Sequence, residues 1–141
     1  MARHRLTLAA LGAALAVGSA LSTGSGTAAA APAGVQAAWD GCDVGDICVY
    51  TGANGTGSVC AWDGDDPDWT SGNIRCSWAE SKNVVSIWNR GTGGAGTLRH
   101  VKFYKKANYQ DYYGCAAQGF KGNTGPDAGS SLRSHKWVTS C

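Results

Sequence analysis

At 141 residues the chain is the length of one domain, and 21 glycines, six cysteines and six tryptophans give it a turn-rich, cross-linked and aromatic character. Twelve Lys and Arg face ten Asp and Glu, and Arg3 and Arg5 account for the excess. The remainder is charge-balanced, which excludes a net basic field for nucleic acid or anionic lipid.

Arg3, His4 and Arg5 precede an unbroken small and apolar run, Leu6 to Val17. It is shorter than the ~20 apolar residues that a membrane span needs. A polar stretch, Ser22 to Thr27, and then Ala28-Ala29-Ala30-Ala31-Pro32 follow. Basic head, short apolar middle and small-residue exit read as a secretory signal peptide over 1–30, cut after Ala30. Residues 31–40 read as a flexible leader, and 41–141 as the folded domain. No later stretch is long and apolar enough to hold the exported chain in a membrane.

From Cys42 onward, short β-type runs alternate with Gly, Asn, Asp and Ser. They are Ile47 to Tyr50, Ser58 to Trp62, Asn83 to Trp88, Leu98 to Tyr104, Tyr112 to Ala116 and Leu132 to Val138. Val85 and Ile87 share one face, as do Val101 and Phe103. Such period-two runs between turn residues indicate antiparallel strands in a sandwich or barrel. Ser77 to Lys82 fits one short helical turn. Trp62 and Trp88 fall in strands and are expected in the core. Trp69 and Trp78, in or just past a long loop, are the candidate exposed aromatics.

Asp63, Asp65, Asp66 and Asp68 cluster around Pro67. Counted from Asp63, an EF-hand would need Gly and an acid where Asp68 and Ile74 stand, so the loop reads as a solvated acidic turn. Gly91-Thr92-Gly93-Gly94-Ala95-Gly96 satisfies G-x-G-x-x-G in letters only. A strand rather than a helix follows it, so it reads as a flexible loop. No His-Glu-x-x-His or Gly-x-Ser-x-Gly occurs, and no acidic pair stands apart for glycoside hydrolysis. The expectation is a protein that is not an enzyme.

All six cysteines lie beyond residue 41, without a Cys-x-x-Cys pair or a zinc-type histidine spacing. An even count in a small exported domain reads as a disulfide framework. Spacing alone allows 15 pairings. Joining neighbours is the expectation: Cys42–Cys48, Cys60–Cys76 and Cys115–Cys141.

A faint internal repeat runs through the domain. Tyr50-x-x-x-Asn54-Gly55-x-Gly57 aligns with Tyr104-x-x-x-Asn108-Tyr109-x-Asp111. Each copy precedes a cysteine, and each is followed later by a serine-bearing run, Val85-Ser86-Ile87 and Ser130-Ser131-Leu132. Aromatic, four spacers, aromatic, one spacer, Gly is the folded-hairpin signature of the βγ-crystallin Greek key, which this pattern resembles. Gly55 stands where the second aromatic of the first copy belongs. Asp111 replaces the Gly of the second, and Asp tolerates positive φ better than most residues.

Cys42-Asp43-Val44-Gly45-Asp46-Ile47-Cys48-Val49-Tyr50, Ser86-Ile87-Trp88-Asn89 and Ser130-Ser131-Leu132-Arg133 resemble, in order, motifs of secreted bacterial peptidase inhibitors of the metalloproteinase-inhibitor type, peptidase inhibitor family thirty-six. The resemblance spans roughly Gly41 to Trp137. It implies an all-β, βγ-crystallin-like two-sheet Greek-key sandwich stabilised by disulfides, and it supports the Cys42–Cys48 bridge. It also implies an extracellular inhibitor of a protease of the metalloprotease class, acting through a rigid loop. Two segments are the candidates for that loop. One is the turn after Cys115, with Ala116, Ala117, Gln118 and Phe120. The other is the acidic loop, with Asp65, Asp66 and Trp69.

Crystallin-type domains often bind calcium through Asp/Asn-Asp/Asn-x-x-Ser/Thr-Ser. Ser81 to Ser86 carries Lys82 and Val85 at ligand positions and is expected to be inactive. Asp127, Ser130 and Ser131 leave weak calcium binding open, and no other cofactor is expected. Two further functions stay open: a cell-wall glycan-binding or antifungal module using Trp69, Trp78 and nearby tyrosines, and a structural or weakly calcium-binding secreted protein.

Overall fold

Seven short strands form because β-branched and aromatic residues recur at alternate positions between turn formers. In the computed structural model, which describes residues 38–125 and 131–141, these are β1 (Ile47–Tyr50), β2 (Val59–Trp62), β3 (Ser86–Asn89), β4 (His100–Lys106), β5 (Gln110–Ala116), β6 (Lys121–Asn123) and β7 (Ser134–Val138). They make two antiparallel sheets, one in the order β2-β1-β3-β6 and one in the order β5-β4-β7.

The strand order shows two Greek keys that exchange their third segments. The first key supplies β1, β2 and β3, yet β6 of the second key closes the edge beside β3. In return, the acidic loop of the first key lies along β7. Asp66 and His135 exchange both backbone hydrogen bonds, and the Trp69 amide donates to Arg133 O. The fold is therefore a βγ-crystallin-like two-sheet sandwich. Three bridges join Cys42–Cys48, Cys60–Cys76 and Cys115–Cys141.

Each key begins with a hairpin folded back on itself, and the same residues explain both. Asn54, Gly55 and Gly57 take positive φ in the first, and Asn108, Tyr109 and Asp111 in the second. A serine hydroxyl pins each fold. Ser86 Oγ accepts from the Gly55 amide at 2.9 Å and donates to Gly52 O at 2.7 Å. Ser134 Oγ accepts from the Tyr109 amide at 3.1 Å and donates to Lys106 O at 2.6 Å. The second copy's serine is thus Ser134, not the Ser130-Ser131 pair that the sequence suggested.

The missing aromatic of the first hairpin is replaced from outside the repeat. Trp39 packs edge-on against Tyr50, centroids 5.4 Å apart, as Tyr109 does against Tyr104 at 5.8 Å. A Cβ on Gly55 would lie 2.3 Å from the Trp39 ring, and the Trp39 amide donates to Gly55 O. Glycine at 55 therefore makes room for a ring that reaches in from the segment read as a leader.

The main core lies between the sheets. Ile47, Val49, Ile87, Val101, Phe103 and Leu132 fill it with Trp62, Trp69 and Trp78. Two tryptophan expectations are corrected. Trp69 is completely buried and Trp78 nearly so, because the exchanged loop and the turn after Cys76 close over the sandwich. Trp88 instead faces outward from β3, half-buried against Trp39, since Ile87 takes the inward position. Removing one pinning hydroxyl leaves two backbone groups unpaired, so Ser86→Ala and Ser134→Ala should each cost about 1–3 kcal/mol. Urea unfolding of each variant against the parent measures this; an unchanged midpoint would dismiss the pin.

Candidate functional site

The turn after Cys115 links β5 to β6 and is exposed from Ala117 to Phe120. It is nevertheless tied down on every side. The Gln118 side-chain amide donates to Gly91 O at 2.8 Å and to Gly93 O at 2.9 Å. The Gly119 amide donates to Asn89 O, the Asn89 amide to Phe120 O, and the Phe120 amide to Ala117 O. Cys115 and Ala116 form its base; Ala116 is buried, and Cys115 is bridged to the terminal Cys141.

Asn89 organises this end of the molecule. It is fully buried at the end of β3. Its Nδ2 donates to Arg99 O and to Ala116 O, both at 3.0 Å, and its Oδ1 accepts from the Gly91 amide at 2.9 Å. One amide group thereby fastens the Gly91–Gly93 strap, the entry to β4 and the exit of β5. The glycine loop read as flexible is anchored at Gly91 and Gly93. The motif Ser-x-Trp-Asn contains Asn89, but nothing in one sequence shows which buried groups it serves.

The second candidate loop has a different use. Asp66 pairs with β7 and caps its own loop, its Oδ1 accepting from the Asp68 amide at 2.8 Å. Trp69 stacks on Trp62, centroids 4.9 Å apart. Its Nε1 donates to His135 Nδ1 at 2.8 Å, which fixes the tautomer and makes His135 Nε2 the donor to Gly64 O, also at 2.8 Å. Asp65 is exposed, but its Oδ1 accepts from the Trp137 amide at 2.7 Å. Asp68 pairs with Arg133 at 3.0 Å; a hydrogen bond from Thr70, then that guanidinium, draws its carboxyl down to about 2. Trp69 is therefore a core residue and unavailable as a contact, and Asp66 is structural, because their segment serves as the exchanged strand.

The acidic loop borders a further feature. An open groove of about 610 Å³ runs between Asp63–Asp65 and the Gly91–Gly93 strap, with Trp137 and Leu98 in its lining. Gln118 holds that strap through Gly91 O and Gly93 O. The groove's rim is acidic. Burial first, then the carboxylates of Asp43 and Asp63, push Asp46 above the ordinary carboxylate range. Asp127 and Ser130 lie outside the described residues, whereas Ser131 is exposed. Among the described residues no three His, Cys, Asp or Glu gather as a metal site.

Residues 35–116 match peptidase inhibitor family I36. The chain belongs to that family. Family I36 is a family of peptidase inhibitors, which are not enzymes, and the match runs from the segment before Trp39 to the end of β5. No curated protein matches the chain. A solved structure described as "Evolution of the eye lens beta-gamma-crystallin domain fold" is similar at 15% identity, over 69% of this chain and 88% of that one, with a TM-score of 0.49.

His135 makes the stability of this family I36 domain pH-dependent. Burial disfavours the imidazolium and lowers its pKa from 6.5 to about 4, against the opposing pull of Gly64 O and Asp65. Above 6.5 both folded and unfolded chains keep the ring neutral. Between 6.5 and 4 only the unfolded chain gains the proton, so stability falls with pH, by about 3 kcal/mol across the window. Unfolding at pH 7 and pH 4 measures it. His135→Gln should flatten the profile, and an equal slope in both proteins would contradict the assignment.

Proposed function

We propose that the protein is exported and inhibits an extracellular metalloprotease by presenting Ala117–Phe120 as a fixed loop. The supporting observation is the bonding of that exposed turn: Gln118 holds it to the Gly91–Gly93 strap, and Asn89 holds it through backbone bonds on both sides. A loop already held in one geometry loses little conformational entropy on docking, so more of its contact energy appears as affinity. The same ties hold the ends of the loop together if the protease cuts it.

Phe120 is the anchor in this reading. The residue is 41% exposed, and a partly free aromatic on a rigid turn suits a partner's pocket. The metalloprotease class rests on the resemblance carried by Cys42 to Tyr50. Export rests on the signal peptide read over 1–30 and on three disulfides, which form and persist in oxidising compartments.

Titrating a thermolysin-like metalloprotease with the purified domain should abolish activity near one equivalent. Phe120→Ala and Gln118→Ala should each weaken inhibition by ~10-fold or more. Asp63→Asn, on the other loop, should leave it unchanged. Full protease activity at micromolar domain would reject the proposal.

A further inference from the structure

The charges of this nearly neutral chain are segregated in space. Seven of the ten acidic residues lie between Asp40 and Asp68, and two of them, Asp63 and Asp65, line the groove. The outer face of the β5-β4-β7 sheet carries lysines instead. Val101 and Phe103 point into the core, so Lys102, Tyr104 and Lys106 step along the opposite face of β4, ~7 Å apart. Lys136 on β7 stands directly opposite Lys102, and Tyr112 on β5 directly opposite Tyr104.

Two features of this face call for a ligand. Like charges on directly opposed positions of adjacent strands repel, at a cost to stability. Neither Lys102 nor Lys136 is relieved by a carboxylate, because the ion pairs among the described residues are those of Arg133 with Asp68 and Glu80. Beside this pair lies a tyrosine cluster. Tyr104 meets Tyr112 at 6.0 Å and Tyr109 at 5.8 Å, centroid to centroid, and Tyr112 is 56% exposed. Lys136 Nζ lies 5.5 Å from the Tyr109 ring, which carries the basic surface on to the aromatic one. Tyr109 marks its boundary: burial, then the nearby Asp65 and Asp66, raise its phenol above the ordinary value.

We propose that the lysines Lys102, Lys136 and Lys106, with Tyr104 and Tyr112, form a binding face for an extended anionic polysaccharide. The paired ammonium groups would take a carboxylate or phosphate substituent, and the exposed tyrosine would stack on an adjoining sugar ring while its hydroxyl stays in water. A membrane surface fits less well, since the face presents tyrosines rather than aliphatic side chains to bury. Nucleic acid fits less well too, since the face holds lysines without the arginine forks that grip phosphates and bases in two-point contacts. Bound this way, the turn Ala117–Phe120 and the groove would remain free.

The probe is polygalacturonate, tested with the exported, processed protein at ~50 mM salt, where exposed charges are weakly screened. The parent should bind it, and binding should weaken as salt rises. Lys102→Gln/Lys136→Gln should lose ~10-fold or more in affinity, while melting no lower than the parent because the repulsion is gone. Tyr112→Ala should also weaken binding but keep the parent's salt dependence. Protease inhibition should be the same in all of these proteins, which separates this test from that of the inhibitory loop. The proposal is overturned if polygalacturonate is not bound, if the double variant binds as the parent does, or if phosphatidylglycerol vesicles or duplex DNA are bound as tightly as the polysaccharide.

Discussion

The end of the molecule that carries the proposed inhibitory turn depends on one buried side chain, Asn89. An amide has two N–H donors and a carbonyl acceptor, and leaving any of them unpaired in an apolar interior costs about 1–3 kcal/mol. Here both donors and the oxygen are engaged, to Arg99 O, Ala116 O and the Gly91 amide. The three partners belong to three separate segments. Their geometry is consequently set by one planar group, and the turn that follows Ala116 inherits that geometry. A hydrophobic residue at 89 could fill the same volume but would leave three backbone groups without partners.

Around that point, the exchange of third segments makes the two halves one object. Neither sheet is complete without a piece of the other key: β6 completes one edge, and the Asp66–Trp69 segment covers the other. Trp69 shows how the exchange is secured, stacked on Trp62 of the first key and donating to His135 of the second. Cys60–Cys76 and Cys115–Cys141 then close the chain around these segments. Rigidity of the exposed turn thus follows from cross-connection between halves more than from the turn's own sequence. The arrangement also leaves the two sheet faces and the loop end chemically distinct: an aromatic outer face around Trp39 and Trp88, a lysine and tyrosine face on the other sheet, and an acidic rim at the groove.

Local pattern carried much of the fold. The alternation of Val101 and Phe103 with Lys102 and Tyr104 placed β4 and its faces correctly, because period two is a property of the strand itself. The paired Asn and aromatic positions located both folded hairpins through the resemblance to the Greek-key signature, because tolerance of positive φ is a property of the turn residues themselves. What was hidden depends on distance along the chain. β6 is Lys-Gly-Asn, which has little strand preference and is a strand only because β3 lies beside it. Trp69 sits in a stretch whose aspartates and Pro67 read as a surface turn, and its burial comes from partners more than sixty residues away. The pinning serines lie 31 and 25 residues from the amides they hold, so the spacing differs between the copies, and matching each hairpin to a later serine-bearing run pointed to the wrong serine in the second. For the candidate site, the segment after Cys115 was a loop candidate through the family resemblance, whereas Gln118's grip on Gly91 and Gly93, and the role of Asn89, arise only when the strands are assembled.

The most direct measurement is hydrogen exchange at a single amide, that of Gly119, in the native protein. The residue is exposed and lies in a turn, so composition and position alone would let its N–H exchange as fast as in a free peptide. Its bond to Asn89 O requires the opposite: exchange slowed by about 1,000-fold or more, governed by the same opening as β5. Free-peptide exchange at Gly119 would show that the turn opens on its own, and a pre-set loop could then not be the basis of this protein's action.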